Sequence, residues 1–536
     1  MPAGAVGTPP VSALAPLRQP VFRMLWIAWM VANTCMWMND VAAAWLMTSL
    51  STSPAMVALV QSASTLPVFM LGLPSGALAD IIDRRRYLMF TQFWVAGVAV
   101  LICITVLSDS MSARMLLFLT FANGIGLAMR MPVFAAIVPG LVPRAQLQPA
   151  IALNGVAMNA SRIIGPIIAG ALLASLGSVY VFALNAVLSV LAGLVIFRWK
   201  HTPTVSALPG ERFLGAIRVG VQFVRQSRRM HTVLLRVALF FLQSTALMAL
   251  LPLVARGMEG GDARSFTLLL ACLGLGAILS ALLLPHVRQR MTLDQLVRNG
   301  SLLQALCTVG VAFAPNVYWA APVMLAAGAA WLSVANTLSV SAQMSLPDWV
   351  RARGMSIFQM ALMGSAALGA ALWGQVATFS DVRTSLVLAA VSGSLALLAA
   401  RRFKLSATPE EDHTPSRVWT PPVAAVPIEP GAGPVLVTVE YRIDPARADE
   451  FRAVMQDSRR SRLRHGALAW ELFRDSVDPN RYIEYFIDET WVEHLRRFDR
   501  VTAADVALRE RRLAFHLGEG APVVSRYIAE SLTRVD

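Results

Sequence analysis

Long apolar runs, broken by short polar segments, occupy the first 404 residues of the chain. About 20 apolar residues in a helix are enough to cross the hydrocarbon core of a bilayer, so we predict twelve membrane helices. They lie approximately at 22–48, 55–79, 87–107, 114–139, 148–175, 178–198, 232–256, 265–287, 294–314, 317–345, 353–379 and 383–402. The pattern therefore predicts an all-α membrane protein with two six-helix halves, 22–198 and 232–404.

The polar segments divide the chain further. Residues 1–21 form an N-terminal segment, 199–231 a basic loop between the halves, and 405–433 a Pro-rich linker. Within 434–531 the pattern changes to a strand, a helix, two strands, a helix and a strand. That βαββαβ order predicts a ferredoxin-like α+β domain.

The charges are few and unevenly distributed. Only 15% of the residues are charged, against roughly 25% in soluble proteins. Of the Lys and Arg residues between the predicted helices, 22 lie on the side that holds both termini and four on the other side. Basic residues accumulate on the cytoplasmic side of a membrane, so we predict that both termini are cytoplasmic. The net charge of +14 is then explained by basic residues beside the lipid bilayer. We therefore predict the bilayer, and no nucleic acid, as a partner.

The two halves carry similar loops at corresponding places. Leu141-Val-Pro-Arg144 follows the fourth predicted helix, and Leu346-Pro-Asp-Trp-Val-Arg351 follows the tenth. The basic segment Asp83-Arg-Arg-Arg86 follows the second helix, and the basic segment His286-Val-Arg-Gln-Arg290 follows the eighth. These similar segments at corresponding positions predict that the two halves are duplicates, as in transporters with repeat symmetry.

The loop after the second helix resembles a known motif. Gly76, Asp80, Arg84 and Arg85 match the Gly-x-x-x-Asp-(Arg/Lys)-x-Gly-(Arg/Lys)-(Arg/Lys) motif of the major facilitator superfamily, with Asp83 at the glycine position. The variant loop, with Val138-Pro-x-Leu-Val-Pro-Arg144 and Asn159-x-x-Arg162-x-x-Gly165-Pro166, resembles the transmembrane secretion effector branch, which is enterobactin-exporter-like. The resemblance implies a bacterial inner-membrane transporter.

The same resemblance implies roles for particular residues. It gives the loop residues Gly76, Asp80, Asp83, Arg84 and Arg85 a gating role, in which Asp80 caps a neighbouring helix or bridges to an arginine. The alternative is that these charges only set the topology. Ser161, Gly165, Pro166 and Gly170 resemble the Gly-x-x-x-Gly-Pro-x-x-Gly-Gly motif of proton-coupled exporters. They could equally be small residues that let helices approach, as in any bundle.

Three ionisable residues, Asp40, Arg130 and Arg162, fall well inside apolar runs, where charges are costly and usually functional. Asp40 and Arg162 lie at similar depths, at about 1.5 Å per helical residue. We hypothesise that Asp40 takes up a proton or cation and that Arg162 biases its protonation. A static ion pair, or an acid that reaches the membrane surface, is the alternative. Asn159 is a further candidate for a polar cavity or for interhelical hydrogen bonds.

Together these features predict a secondary transporter and not an enzyme. We predict a proton-coupled exporter of small amphipathic molecules such as drugs or siderophore-like metabolites; an importer of the same fold and a membrane sensor are the alternatives. The cysteines and the scattered His465, His494 and His516 predict no metal site, and no motif implies a cofactor. The C-terminal domain resembles the antibiotic-biosynthesis-monooxygenase-like module, which implies possible self-association.

Overall fold

The computed structural model describes residues 12, 14–199, 213–403, 405, 412, 414, 416, 418, 419, 422 and 424–530. The chain forms two compact units. The membrane unit contains Met1–Leu208, Leu234–Val340 and Ser356–Ser406. The C-terminal unit contains Pro209–Val233, Ser341–Met355 and Ala407–Asp536.

Twelve long helices coincide with the twelve predicted segments. In the first half they are α1 Pro20–Leu50, α2 Pro54–Ile81, α3 Arg84–Leu107, α4 Ala113–Leu141, α5 Leu147–Ser175 and α6 Ser178–Arg198. In the second half they are α8 Arg228–Gly257, α9 Ala263–Arg290, α10 Leu293–Ala312, α11 Val317–Met344, α12 Asp348–Phe379 and α13 Val382–Ala399. Within the described residues, ten of the helices, all but α4 and α10, are long and apolar enough to cross a membrane.

Local chemistry fixes several of the helix starts. The side chains of Ser112, Asp262 and Asp381 accept hydrogen bonds from backbone N–H groups in the first turns of α4, α9 and α13. Thr292 and Gln295 form a capping box at the start of α10. Such caps satisfy N–H groups that have no partner inside the helix, so the polar residues between apolar runs end one helix and begin the next.

Corresponding helices pair in the same way in the two halves. In the first half α2 packs against α4 and α3 against α6; in the second half α10 packs against α13, the counterpart of α3 against α6. Gly276 of α9 lies directly against the Leu325 carbonyl of α11, and Gly328 of α11 against the Leu273 carbonyl of α9. Because no Cβ separates the backbones, α9 and α11 approach as closely as α2 and α4 do at Gly124.

The structure corrects the predicted loop between the halves. Residues 199–231 contain a helix, α7 Phe213–Gln226, and α8 begins at Arg228 rather than at 232. Val219, Phe223 and Val224 of α7 are buried. These residues lie on one face of the helix. A short helix of this kind is stable only where tertiary packing covers its apolar face. With 14 residues, α7 is too short to span a membrane.

The C-terminal unit contains an antiparallel four-stranded sheet. Its strands are β1 Val435–Arg442, β2 Ala469–Arg474, β3 Arg481–Asp488 and β4 Val523–Ile528, in the order β2-β3-β1-β4. Its helices are α14 Ala448–Arg464, α15 Trp491–Asp499 and α16 Ala503–Leu513. Alternate residues of β1, Val435, Val437, Val439 and Tyr441, face the core. The single helix predicted between the third and fourth strands is two helices, because Thr502 and Asp505 form a new capping box.

Candidate functional site

The candidate site of the membrane unit is built around charged and aromatic side chains on α1, α4, α5 and α11. Arg162, on α5 of the first half, places its guanidinium 5.1 Å from the ring centre of Trp37 on α1. The same guanidinium lies 4.2 Å from the ring centre of Trp331 on α11 of the second half. A cation over an aromatic face is stabilised by the ring quadrupole, by about 2 kcal/mol when water is excluded. Arg162 thus joins the two halves.

This contact leaves hydrogen-bonding capacity unused. The Nε–H of Arg162 and the Nε1–H of Trp37 are buried, and neither has an acceptor among the residues that the structure describes. Trp331 is held in turn by an edge contact with Phe241 of α8, with ring centres 5.6 Å apart. Buried donors without acceptors are costly, so the arrangement is one that an acceptor-bearing ligand would stabilise.

Asp40 lies on α1 three residues after Trp37 and therefore on the same side of the helix. It is half-buried, and within the described part of the chain no cation lies within 4.0 Å of its carboxylate and no donor is bonded to it. The structure therefore does not pair Asp40 with Arg162, although the two were matched by depth. The reason is that the guanidinium turns to the two tryptophans, which depth along a helix does not reveal.

Arg130 of α4 occupies a separate buried position. Its Nη2 donates to Asn33 Oδ1 at 3.4 Å, and its guanidinium lies 5.4 Å from the ring centre of Trp29. Trp29 stacks on Phe134 with ring centres 4.1 Å apart. Asn33 is fixed by a hydrogen bond from its Nδ2 to the Trp29 carbonyl at 2.9 Å. Arg130 is thus held by polar and aromatic groups of α1 and α4.

A second polar cluster connects α1 with α6. Asn185 Nδ2 donates to Asn39 Oδ1 at 3.4 Å, and Ser189 donates to Asn185 Oδ1 at 3.2 Å. All three side chains are buried. The sequence prediction did not single them out, although Asn39 directly precedes Asp40. An asparagine beside an acid in an apolar run is the signal that could have found this cluster.

The small residues of α5 face two different helices. Ser161 donates to the Met30 carbonyl of α1 at 2.9 Å, and a Cβ on Gly165 would stand 2.6 Å from Trp37 Cβ. Gly170 is in direct contact with Thr267 of α9, so a Cβ there would overlap that side chain. Pro166 lies within the helix between the two crossings. Ser161 and Gly165 thus seat α5 against α1, and Gly170 seats it against the second half.

The loop between α2 and α3 is described in part. Asp83 is the N-cap of α3, and its carboxylate accepts from Arg85 N at 2.9 Å and Arg86 N at 3.1 Å. Arg85 donates to the Phe197 carbonyl at the end of α6. Arg84 begins α3. The side chains of Gly76, Asp80 and Asn159 lie outside what the structure describes.

Contacts between the halves close the end of the membrane unit where α1 ends. Arg256 of α8 donates to the Thr48 carbonyl at 2.6 Å and to Ser49 Oγ at 3.1 Å, and it covers the Trp45 ring at 5.0 Å. A buried apolar cluster lies next to these contacts and includes Met47 of α1 and Leu251 of α8.

The model of the transmembrane secretion effector family matches residues 11–534. The chain belongs to this family. It is therefore a multi-pass membrane transporter of the major facilitator superfamily, as the loop motif predicts, and the family match continues past the last membrane helix through the C-terminal sheet.

Two relatives of this transporter illustrate the likeness. The staphyloferrin A transporter of Staphylococcus aureus is 22% identical over 351 residues, which cover 65% of this chain and 87% of the relative. The enterobactin exporter EntS of Escherichia coli is 24% identical over 400 residues, which cover 72% of this chain and 94% of the relative.

Solved structures share the fold at lower identity. The crystal structure of the nucleoside transporter NupG superimposes with a TM-score of 0.56 at 13% identity, and the match covers 72% of this chain and 99% of that one. This likeness concerns the fold alone. Within the described residues of this transporter, no group of three or more His, Cys, Asp or Glu side chains could hold a metal ion.

Proposed function

We propose that this transporter exports small amphipathic molecules, such as drugs or siderophore-like metabolites, in exchange for protons. The observation that carries the proposal is the guanidinium of Arg162 between Trp37 of the first half and Trp331 of the second. A ligand with flat apolar parts and hydrogen-bond acceptors fits such a group, because the rings offer stacking faces and the buried donors need acceptors.

The proposal gives Asp40 the coupling role. A carboxylate with no ionic partner among the described residues can gain a proton without breaking an ion pair. Asp40 shares one side of α1 with Trp37, so its protonation and the contact between the halves act on the same helix face. Alternating access would then separate Arg162 from one of its two tryptophans.

The relatives support the direction and the substrate class. One relative is named for staphyloferrin A and one for enterobactin, and the second is named an exporter. We propose a siderophore-like molecule as the first substrate to test. We also propose that the protein lies in the bacterial inner membrane with both termini in the cytoplasm, as the distribution of basic residues predicts.

We further propose that all twelve long helices cross the membrane and that the C-terminal sheet belongs to a ferredoxin-like domain. The helices α4 and α10 have 29 and 20 residues, and at about 1.5 Å per residue each reaches about 30 Å or more.

The strand order β2-β3-β1-β4 and its antiparallel pairing support the ferredoxin-like arrangement. Exposed Phe473, Val523 and Tyr527 on the edge strands support self-association of this domain.

The loop Gly76–Arg86 is proposed as a gate. Asp83 holds the first turn of α3, and Arg85 links that turn to the end of α6. If the hydrogen bond between Arg85 and the Phe197 carbonyl breaks when the halves move, the first turn of α3 can separate from the end of α6 as a unit. The roles of Gly76, Asp80 and Arg84 in the gate are proposed from the motif.

Export is tested in everted membrane vesicles of a strain that lacks its own siderophore exporters. We expect vesicles with the wild-type protein to accumulate enterobactin when a proton gradient is applied, and an uncoupler to abolish this. The variant Asp40→Asn should lose gradient-driven accumulation. Asp109→Asn is the matched control, because Asp109 is an exposed turn residue with φ 51°, a conformation that asparagine tolerates.

The outcomes separate the alternatives. Full gradient-driven accumulation by Asp40→Asn would contradict the coupling role. Accumulation only in right-side-out vesicles would identify an importer. Enterobactin binding without flux in either orientation would favour a membrane sensor.

A further inference from the structure

The C-terminal unit contains a cavity of about 390 Å³. One wall is the face of the sheet, with Val437, Val439 and Phe486, and the opposite wall is formed by α14, α15 and α16. Trp419 also lines the cavity. A cavity of this size, lined by both apolar and charged side chains, is typical of a site for a small molecule.

Three carboxylates at the cavity accept hydrogen bonds from the protein's own donors: Asp505 lines it, and Glu484 and Asp488 lie behind its wall. Glu484 is completely buried and Asp488 is nearly so. The buried Asp505 accepts from Ser461 Oγ and Thr502 Oγ1, both at 2.7 Å. The donors to the other two are Arg462, Arg512, Trp470, Ser458 and Tyr441 for Glu484, and Arg497 and His494 for Asp488. Glu484 thus pairs with Arg462 and Arg512, Asp488 pairs with Arg497, and the nearest charged partner of Asp505 is His465 at 3.3 Å.

Two arginines at the cavity have no carboxylate partner among the described residues. Arg526 Nε donates to His494 Nε2 at 3.2 Å, and Arg509 covers the ring of Trp419 at 5.8 Å. Because a guanidinium can only donate, His494 Nε2 must accept and Nδ1 carries the proton toward Asp488. Among the residues that the structure describes, no carboxylate lies within 4.0 Å of Arg509 or Arg526.

The charge of the cavity is therefore positive. Five lining arginines, Arg462, Arg497, Arg509, Arg512 and Arg526, face three carboxylates. The surplus lies on Arg509 and Arg526, beside the aromatic ring of Trp419. A planar guanidinium binds a carboxylate through two parallel hydrogen bonds, and an aromatic ring next to it offers a stacking surface.

We propose that this cavity binds a small aromatic carboxylate. A cavity of about 150 Å³ holds a single benzene ring, so 390 Å³ accommodates one or two rings with a carboxylate. The carboxylate lies against Arg526 and Arg509, and the rings lie between Trp419 and the apolar wall that includes Val524. The site is independent of the transport direction and of the membrane site around Arg162.

The test measures binding of 2-naphthoate to the full-length protein in lipid nanodiscs by isothermal titration calorimetry. 2-Naphthalenemethanol, which has the same rings without the charge, is the comparison ligand. We expect saturable binding of 2-naphthoate, and at least about tenfold weaker binding by the alcohol, because the alcohol cannot neutralise the arginines. Arg526→Gln should weaken 2-naphthoate binding about tenfold, whereas the exposed Arg474→Gln, which lies outside the cavity lining, should bind as the wild type does.

A second variant separates this site from the membrane site. Val524→Trp fills the cavity at a position that is 43% exposed, so the sheet can carry it. It should abolish 2-naphthoate binding without lowering the thermal unfolding temperature, while Trp331→Leu should leave that binding unchanged. Equal binding of acid and alcohol, wild-type affinity in Arg526→Gln, or loss of binding in Trp331→Leu but not in Val524→Trp would each overturn the proposal.

Discussion

At the scale of single residues, aromatic rings decide where the buried cations point. Arg162 lies between Trp37 and Trp331, and Arg130 lies over Trp29. Arg162 has a ring face on either side, and Arg130 combines a ring face with its hydrogen bond to Asn33. Helical depth marked both arginines as unusual. It could not identify their partners, because these come from other helices.

The Arg162 contact gives a prediction about transport. Trp331→Leu removes the ring of the second half, and we expect transport of enterobactin to fall about tenfold, in line with a loss of about 1–2 kcal/mol. Trp331→Phe should retain more activity, because it keeps an aromatic face. Flux into everted vesicles measures both. Trp319→Leu, an exposed position on the same helix, serves as the control, and equal flux in all three variants would contradict the role of the ring.

Glu484 gives a prediction about pH. Burial alone would raise the pKa of this carboxyl, but Arg462 and Arg512 outweigh it and hold the pKa well below its usual range. A lowered pKa in the folded state stabilises the fold at pH values above about 4.3, the ordinary pKa of glutamate, and this is lost as the pH falls below it. The free energy of unfolding of the C-terminal unit should therefore decrease as the pH falls below about 5.

Glu484→Gln tests the origin of that dependence. It leaves the buried Arg512 and the mostly buried Arg462 without their carboxylate, so we expect a loss of about 3 kcal/mol at pH 7. The decrease below about pH 5 should also become shallower, because one of the engaged carboxylates is gone. Denaturant unfolding followed by tryptophan fluorescence measures both. Glu519→Gln, at an exposed position, should match the wild type; an unchanged slope in Glu484→Gln would contradict the assignment.

At the scale of elements, α5 is one of the helices that connect the halves. Its Gly165 seats it against α1, and its Gly170 seats it against Thr267 of α9. Small residues matter here because only a missing Cβ lets two helix backbones approach this closely. The small residues at four-residue spacing predicted close helix packing, but which helix each glycine meets became clear only from the three-dimensional arrangement.

The crossing at Gly170 gives a prediction about stability. Gly170→Ala places a Cβ into the Thr267 side chain, so we expect a loss of about 1–3 kcal/mol from overpacking. Gly155→Ala is the same substitution on the same helix, where nothing lies within 4 Å of the added Cβ. It should be neutral or stabilise slightly, by at most about 1 kcal/mol. Thermal unfolding in detergent compares the two variants. Equal unfolding temperatures would contradict the prediction that a side chain at Gly170 disturbs the contact between α5 and α9.

At the scale of the whole molecule, three membrane helices also contribute to the C-terminal unit. The starts of α8 and α12 and the end of α11 belong to that unit, together with α7. Within it, Trp349 of α12 contacts Phe223 of α7 at 5.7 Å between ring centres, and the guanidinium of Arg500 lies 5.0 Å from the centre of the Trp349 ring. Gln222 of α7 donates to the Ala467 carbonyl at 2.7 Å.

These contacts predict that Trp349 holds α7 in the C-terminal unit. Trp349→Ala removes the ring between Phe223 and Arg500, so we expect faster amide hydrogen exchange in α7, by about tenfold. Exchange in the first six helices should not change. Hydrogen–deuterium exchange with mass spectrometry measures this on the full-length protein, with Trp319→Ala as the control. Unchanged exchange in α7 would show that the other contacts of this helix suffice.

The sequence by itself determined the membrane class, the positions of the twelve long helices and the four strands of the C-terminal unit. Apolar runs, caps and alternation are local properties, and they act before any tertiary contact forms. Only the tertiary structure revealed the aromatic partners of Arg162 and the lack of an ionic partner for Asp40 among the described residues. It also revealed that residues 213–226 form helix α7. Each depends on groups far apart along the chain, and so does the arginine surplus of the cavity, because the chain distance between two residues does not reveal whether their side chains meet.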